Sequence, residues 1–436
     1  MTVKRLAQLL SFPHFPARQI ELDNGLTLVH QQMSATPTVV ADVWVAAGAL
    51  QEPDESPGLA HFLEHMVFKG TDRIAPGIFD LAIENRGGVS NAATSYDYTH
   101  FYINTAVPHI GETLPYLADI LLHPAIPQEE FEQEREVVLS EIRHTEDDPD
   151  WLGLSTLLQE LYPHHAYGRS VLGTQTQVLS HTPEQMHQFH RNCYRPEKIT
   201  VAMVGDISER DAIDLVNKSF VDLEQSPSAA IACSPSQRRE KYDPLAFAPT
   251  KVTRRSFKYP RLEHARLIMG WLGPGVDKLH DAYGLDLISV LLACGRTSRL
   301  VKELEEEKEL VYAISSDFSL QKESSLFTIT AWLAPQYLEA VEEIICHRIA
   351  ALHDLPLSKD ELRSCQRQLC NDYAFSTEVP SQLAGLYGYY NTVADAKQAV
   401  DYPRRIQTLT ARDIQHVARN YLNPQGYVAI HLQPLW

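Results

Sequence analysis

A short segment near the N-terminus constrains the fold of this chain more than any other. Residues 60–69 read AHFLEHMVFK, and their apolar side chains cover every side of a helix. Such a helix is predicted to lie inside a hydrophobic core rather than on a surface. Ser56 is a candidate N-cap, Pro57 fits the first helical position and Gly70 fits the helix end. The fold must therefore be built around this helix.

Three ionisable side chains of this helix point to metal chemistry. His61 and His65 are four residues apart, so they share one helical face and can ligate one zinc ion. Glu64 falls on the same face, where a carboxylate can take a proton from water that the metal has acidified. The alternative is that both histidines are hydrogen-bonded core residues and Glu64 is a neighbouring acid. We favour the metal site because each buried ionisable group costs several kcal/mol unless something pairs with it.

A second helix is predicted over residues 128–144, and it carries two acids on an apolar face. Glu134 and Glu141 are seven residues apart, and Phe131 and Val138 share their side of the helix. A solvated acidic helix is the alternative, because acids are frequent throughout this region. That alternative fits the other acids of the helix but fits Glu134 and Glu141 poorly, so we predict that these two complete the histidine site.

Composition limits the function. The formal net charge of −18 argues against a nucleic-acid binder and fits an attraction for basic peptides, although solubility alone explains it equally well. Six cysteines are scattered without a CxxC pair, which is typical of reduced thiols in a cytosol-like compartment. No apolar run approaches the length that spans a membrane, and the stretch after Arg5 is too short for a signal peptide. We therefore expect a cytoplasmic protein without membrane insertion.

The two halves of the chain share a pattern. Residues 181–206 and 409–433 each predict a helix, the dipeptide RN, a tyrosine (Tyr194 or Tyr421) and a strand with Val-Ala at the same distance. A helix predicted over residues 282–293 follows a strand, as the histidine helix does, but it lacks the histidines. This pattern indicates a duplication in which one copy kept the metal. Chance similarity between amphipathic segments is the alternative.

The predicted fold class is α+β, with two homologous domains that each have a mainly antiparallel sheet and helices packed on one face. The zinc-bearing catalytic domain is predicted over residues 1–224, and the related domain without metal over residues 251–436. Residues 225–250 are rich in Ser, Pro and Ala and are the predicted linker. A glycine-bounded stretch over residues 89–107 predicts one or two strands of the first domain.

Together these motifs resemble the pitrilysin family of zinc peptidases, whose mark is the order His-x-x-Glu-His. Within that family the chain is similar to the mitochondrial processing peptidases and their bacterial relatives. The resemblance covers nearly the whole chain and depends on five motifs: DNGL from Asp23, HFLEHMVFKGT from His61, GG-x-x-NA-x-TS from Gly87, ERE-x-V-x-x-E from Glu134, and SRL with VYAIS from Ser298 onward.

The resemblance implies a role for each matching residue. His61, His65 and Glu141 match the three protein ligands of one zinc ion per chain. Glu64 matches the general base. Glu134 matches a glutamate that supports and orients the ligands.

The resemblance also implies residues that bind the substrate. Arg299 and Tyr312 match an arginine and a tyrosine that bind substrate or the oxyanion of the tetrahedral intermediate. Without the family, Arg299 would be interpreted as a surface ion pair with the glutamates that follow it, and Tyr312 as a core strand residue. An edge strand that pairs with the backbone of extended peptides is matched by four residues: Asn91, Ala92, Ala93 and Thr94.

The function that the resemblance implies is that of a zinc endopeptidase or oligopeptidase. It would cleave unfolded segments or short peptides inside a closed chamber formed by two chains, so we expect a homodimer or a heterodimer with a related chain. The alternatives are a non-catalytic member of the family and a chaperone-like protein that binds peptides and holds zinc for structure. The intact His-x-x-Glu-His argues against the first, and the lack of a fourth protein ligand argues against the second.

Overall fold

The computed structural model describes residues 16–223, 244–260 and 262–435. Most of the predicted linker, residues 225–243, lies outside these ranges. Within them the chain forms eleven strands and fourteen α-helices. The strands are β1 (Arg18–Glu21), β2 (Thr27–Gln32), β3 (Thr38–Val45), β4 (Val89–Thr94), β5 (Thr99–Ala106), β6 (Ile199–Gly205), β7 (Thr253–Tyr259), β8 (Ala265–Pro274), β9 (Val311–Leu320), β10 (Ser324–Leu333) and β11 (Val428–Pro434).

The helices connect these strands and pack against them. They are α1 (Leu59–Val67), α2 (Ile78–Glu84), α3 (Val107–Leu122), α4 (Gln128–Glu146), α5 (Pro149–Leu161), α6 (Gln175–Ser180), α7 (Pro183–Cys193), α8 (Glu209–Ser219), α9 (Leu279–Ala293), α10 (Leu338–Asp354), α11 (Lys359–Phe375), α12 (Pro380–Val393), α13 (Lys397–Thr408) and α14 (Ala411–Tyr421). Over the described ranges, none of these helices combines the length and apolarity needed to cross a membrane.

The strands form two sheets of the same topology. The first has the order β1-β2-β6-β3-β5-β4 and the second the order β7-β11-β8-β10-β9. From β2 onward, each strand of the first sheet has a counterpart at the same place in the second. In each sheet one pair of neighbouring strands is parallel: β2 with β6 in the first sheet and β7 with β11 in the second. The other neighbours in this common set are antiparallel. The predicted α+β class with two similar, mainly antiparallel sheets is confirmed.

The chain divides into two compact units, each assembled from separate stretches of sequence. The first unit contains residues 16–139, 171–223 and 374–404, and the second contains the other described residues. The sequence predicts contiguous domains, whereas residues 140–170 and 374–404 are here grouped with the other half. The division passes through α4, which is nevertheless one continuous helix.

The two exchanged stretches cover equivalent strands. Helix α12 packs against β3 and β6 of the first sheet, and α5 packs against their counterparts β8 and β11 in the second. On α12 the approach is close, because a Cβ added at Gly388 would lie 2.1 Å from Nε1 of Trp44. Phe101, on the opposite face of the same sheet, lies near Phe68 at the end of α1. The first sheet thus has helices on both faces, whereas the sequence predicts helices on one face.

Helix α1 starts differently from the sequence expectation. It begins at Leu59, and its N-cap is Gly58 with φ of +88°, so Ser56 is not the cap and Pro57 is not the first helical residue. The carboxylate of Glu52 accepts hydrogen bonds from the backbone N–H groups of Gly58 at 3.1 Å and Ala60 at 2.8 Å. A buried acid from the preceding loop therefore satisfies the helix start and complements its dipole.

Candidate metal centre

Helix α1 presents its two histidines to one side of the core. The side chain of His61 is buried, with 7% of its surface exposed, and the rings of His61 and His65 lie 4.7 Å apart between centroids. Phe62 follows His61 directly, and its ring stacks on that of Phe131 of α4, with 4.7 Å between centroids. This aromatic contact packs α1 against α4, the helix that carries the predicted acids.

Glu141 of α4 joins the histidine pair. One ligand atom each from His61, His65 and Glu141 can be chosen so that all three lie within 4.8 Å of one another. Over the described residues, no other group of three or more His, Cys, Asp or Glu side chains meets this criterion. The structure thus brings together the three residues that the family resemblance implies as ligands.

Glu134 lies two helical turns before Glu141 on α4 and supports this group. Its Oε1 accepts a hydrogen bond from Nδ1 of His65 at 2.8 Å, and its Oε2 lies 2.5 Å from Nζ of Lys69. Burial raises the pKa of Glu134, but the hydrogen bonds from His65 and Lys69 outweigh it and leave that pKa below its ordinary value. The ionised carboxylate fixes the proton of His65 on Nδ1, so that Nε2 is the nitrogen available to a metal.

The electrostatics suit a metal ligand at His61. Burial, with a smaller contribution from His65, lowers the pKa of His61 to about 3. The imidazole is therefore neutral at physiological pH, which is the form that binds metals. Two imidazole nitrogens and one carboxylate oxygen form the donor set of a catalytic zinc site, which keeps its fourth position for water or substrate. Ligand atoms around one such ion lie roughly 3.3 Å apart, so small side-chain rotations would close this group around it.

Glu64 lies on the same helix, between the two histidines. The hydroxyl of Thr94, at the end of β4, donates a hydrogen bond of 2.5 Å to its Oε2. Tyr194 is also close: burial, and secondarily the charge of Glu64, raise the pKa of Tyr194 well above its ordinary value. The predicted base thus accepts a hydrogen bond from Thr94 and interacts electrostatically with Tyr194.

Strand β4 is the edge strand of the first sheet, as the family resemblance implies for residues 91–94. Its side chains alternate: Asn91 and Ala93 are exposed, whereas Ala92 and Thr94 are partly buried. Only the second pair therefore faces the side of the sheet on which α1 lies. The outer edge of β4 offers backbone groups for an added strand.

Arg299 and Tyr312 belong to the second unit. Arg299 forms an ion pair with Glu361, 2.9 Å away, and not with the glutamates that follow it in sequence. Tyr312 is 57% exposed on β9, with its ring 4.2 Å from that of His264, so it is not a core residue. The alternatives based on the residues alone are thus wrong in detail, and the roles implied by the family resemblance stay predictions.

Sequence reasoning missed three supporting residues. Lys69 follows His65 by four residues, so its contact with Glu134 was within reach of the helical spacing rule. Glu52 has no local signal, because it lies outside the positions that normally cap a helix. His181 is also hidden from local rules: its Nε2 donates to the carbonyl of Pro57 at 3.1 Å, and its own carbonyl accepts from Arg135 beside Glu134. These contacts tie the start of α1 to α4.

Comparisons with known proteins find relatives over nearly the whole chain. The family model described as Insulinase (Peptidase family M16) matches residues 27–175, and the model described as Peptidase M16 inactive domain matches residues 180–369. The chain is 29% identical over 418 residues to the zinc protease PqqE of Helicobacter pylori, covering 95% of this chain and 92% of that protein. It is 28% identical to the uncharacterized zinc protease YmxG of Bacillus subtilis, covering 81% of this chain and 83% of that protein.

Solved structures agree with this grouping. A protease from Helicobacter pylori matches with a TM-score of 0.87 at 26% identity, over 96% of this chain and 99% of that chain. A putative M16-like peptidase from Alicyclobacillus acidocaldarius matches with a TM-score of 0.85 at 19% identity, over 96% and 98%, which shows a shared fold. Because the two M16 models together match most of the chain, the protein belongs to the M16 family of peptidases, the pitrilysin family that its motifs resemble.

Proposed function

We propose that this protein is a zinc-dependent endopeptidase or oligopeptidase that hydrolyses unfolded segments or short peptides. The observation that carries the proposal is the approach of His61, His65 and Glu141 to within 4.8 Å on the helical face that also holds Glu64. A purely structural zinc site would require a fourth protein ligand. The donor set of two histidines and one glutamate instead suits one zinc ion per chain with a reactive open position.

The chain's own residues supply the acid–base chemistry. A bound zinc ion would provide Lewis acidity, which polarises a carbonyl and makes water more acidic. The Glu64 carboxylate accepts a proton from the attacking water and then donates it to the leaving amine. Glu134 keeps the proton of His65 on Nδ1 throughout. Both roles require carboxylates that are ionised at the start of the cycle.

Substrate binding is the less constrained part of the proposal. A peptide would add to the free edge of β4 as an extra strand, with backbone hydrogen bonds along residues 91–94 giving tolerance of side chains. Arg299 and Tyr312 would bind substrate or the developing oxyanion, a role that is supported by the family resemblance alone.

The cellular setting is proposed on similar grounds. We place the protein in the cytoplasm, where free thiols persist, because the five cysteines in the described ranges are unbridged. We also propose that two chains, in a homodimer or with a related partner, form a closed chamber, and that the protein belongs to the processing-peptidase branch of the family. The resemblance supports both proposals. Light scattering of the purified chain measures its oligomeric state.

Substitution of the base tests the proposed activity. The wild-type chain should contain about one zinc ion and cleave a fluorogenic peptide library in a chelator-sensitive way. Glu64→Gln should keep the zinc and lose about 10²-fold or more of kcat, the usual contribution of a positioned base. Glu136→Gln removes an exposed acid from α4 and is the matched control, with activity unchanged.

The outcome separates the proposal from its alternative. Substantial cleavage by the Glu64→Gln variant would refute the role of this residue. A wild-type chain that holds zinc and binds peptides without cleaving them would instead be a non-catalytic, chaperone-like subunit. Such a subunit would fit the description "inactive domain" that the family model gives to residues 180–369.

A further inference from the structure

Thr94 reaches the base from the strand that is proposed to hold the substrate. Its hydroxyl donates to Oε2 of Glu64 at 2.5 Å, the short distance of a hydrogen bond to a charged carboxylate. We infer that Thr94 is a positioning residue that orients Glu64 and sets it in register with a peptide bound along β4. This inference rests on the proposed function, and it gives the Thr94 side chain a task separate from backbone pairing.

The direction of the Thr94 side chain follows from the strand. Side chains alternate along β4, and Thr94 is on the partly buried side with Ala92. Helix α1 packs against β4 on this side. The partly buried face of β4 therefore contacts the carboxylate of Glu64. Residue 94 is also the last residue of β4, where its partner across the hairpin is Thr99 of β5.

The hairpin that carries Thr94 is fixed to the segment leading into α1. The hydroxyl of Thr99 lies 3.3 Å from that of Thr94 and donates to the carbonyl of Ala47 at 2.6 Å. The backbone N–H of Ala49 donates to the carbonyl of Ser95 at 3.1 Å. The end of β4 that carries the Thr94 hydroxyl is thus fixed by hydrogen bonds to the backbone of the segment before α1.

A glycine makes this close approach possible. A Cβ added at Gly48 would lie 2.4 Å from the carbonyl oxygen of Ser95 and 2.6 Å from that of Tyr96. No other residue type fits there without moving the hairpin. The segment before α1 and the end of β4 therefore form one framework, and the Thr94 hydroxyl is a fixed point in it.

The physical consequence concerns the rotation of the base. A glutamate side chain has several rotatable bonds, and ordering it costs conformational entropy. A hydroxyl anchored in the sheet restricts the carboxylate before substrate arrives, which reduces the part of that cost paid during the reaction. Because the Thr94 hydroxyl belongs to β4, it holds the Glu64 carboxylate at a fixed position relative to the scissile bond of a peptide added to this strand.

A hydroxyl that only stabilised the hairpin would behave differently. Its loss would lower the melting temperature and would not act selectively on the chemical step. A positioning role predicts the reverse: kcat falls while KM, zinc content and melting temperature stay near the wild-type values. Steady-state kinetics and thermal melts on the same preparations distinguish the two.

The test compares two substitutions of Thr94. Thr94→Val keeps the size and the branched shape that suit a strand but removes the donor. Thr94→Ser keeps the donor. We expect Thr94→Val to lower kcat by about 10- to 100-fold, the scale of a misplaced catalytic group, and Thr94→Ser to restore most of it. Thr27→Val makes the same change on β2, four strands away from β4 in the same sheet, and is the control, with kinetics unchanged.

A crystal structure of each zinc-loaded variant gives a readout besides activity. The Glu64 carboxylate should rotate or lose order in the Thr94→Val protein and keep its wild-type orientation in the Thr94→Ser protein. An unmoved carboxylate, an unchanged kcat, or equal losses in both variants would overturn the inference. If the wild type itself cleaves nothing, the proposed function fails, and the orientation of Glu64 still decides whether Thr94 positions it.

Discussion

The buried carboxylate of Glu52 should contribute strongly to the stability of the first unit. Only 3% of its surface is exposed, and it accepts backbone hydrogen bonds at 2.8 and 3.1 Å from the first turn of α1. In Glu52→Gln one carboxylate oxygen becomes an NH₂ group, so one helix N–H loses its acceptor and faces a donor. A hydrogen bond to a charged group contributes about 1.5–3 kcal/mol, and a charge at a helix N-terminus adds roughly 0.3–1 kcal/mol.

The expected loss is therefore about 3 kcal/mol, or roughly 6–12 °C in melting temperature for a unit of this size. Thermal and urea unfolding of the metal-free protein, followed by circular dichroism, measure it. Glu55→Gln makes the same chemical change at an exposed position of the same loop and should have little effect. Ser56→Ala tests the cap that the sequence predicts and should cost much less than Glu52→Gln. Equal losses for Glu52→Gln and Glu55→Gln, or a larger loss for Ser56→Ala, would refute the assignment.

Two further predictions concern the packing of the first unit. Burial lowers the pKa of His190 to about 4, although its hydrogen bond to the carbonyl of Leu121 opposes this. The unfolded chain protonates this imidazole near pH 6.5, well above the pKa in the folded chain. When the pH is lowered from 7 to 5, the free energy of unfolding should therefore fall by about 2 kcal/mol more in the wild type than in His190→Gln, as measured by urea titrations. Gly388→Ala should lower the free energy of unfolding by about 1–3 kcal/mol in the same urea titrations, because its Cβ would clash with Trp44. Gly385→Ala on the same helix is its control, since the nearest atom to the added Cβ is 4.0 Å away; equal effects would contradict the clash.

Elements with strong local signals were predictable from the sequence. The helix predicted within residues 181–206 is α7, which runs from Pro183 to Cys193 because Thr182 and Gln185 form a capping box and proline takes the first turn. The stretch over residues 89–107 becomes the hairpin of β4 and β5. In each case the determining contacts lie within a few residues of one another, so propensity and turn chemistry suffice.

The candidate site was predictable where helical periodicity controls it. The spacing of His61 and His65 fixes their common face, and the spacing of Glu134 and Glu141 fixes theirs. The approach of these two faces required more, because it depends on the packing of Phe62 on Phe131. The role of Arg299 had no such basis in spacing and came from the family resemblance.

The exchange of segments between the two halves could not be read from the sequence. Helix α12 is distant in sequence from the strands that it covers, and its glycine at 388 has meaning only against Trp44. A sequence rule sees a glycine in a helix as a small cost in stability. The tertiary contact reverses that interpretation, because the missing side chain is what lets the helix reach the sheet.

The second unit shows what the metal site adds to a common framework. Helix α9 holds the place of α1 after the second strand of the shared topology, and the hydroxyl of Tyr421 donates to its Asp281 at 2.8 Å. Tyr194, at the corresponding end of α7, lies close to Glu64 of α1. An acid on this helix can thus be accommodated by a neighbouring tyrosine without any metal. The argument for zinc at α1 therefore depends less on one acid of this helix than on the approach of Glu141 to the paired histidines, which a tyrosine cannot replace.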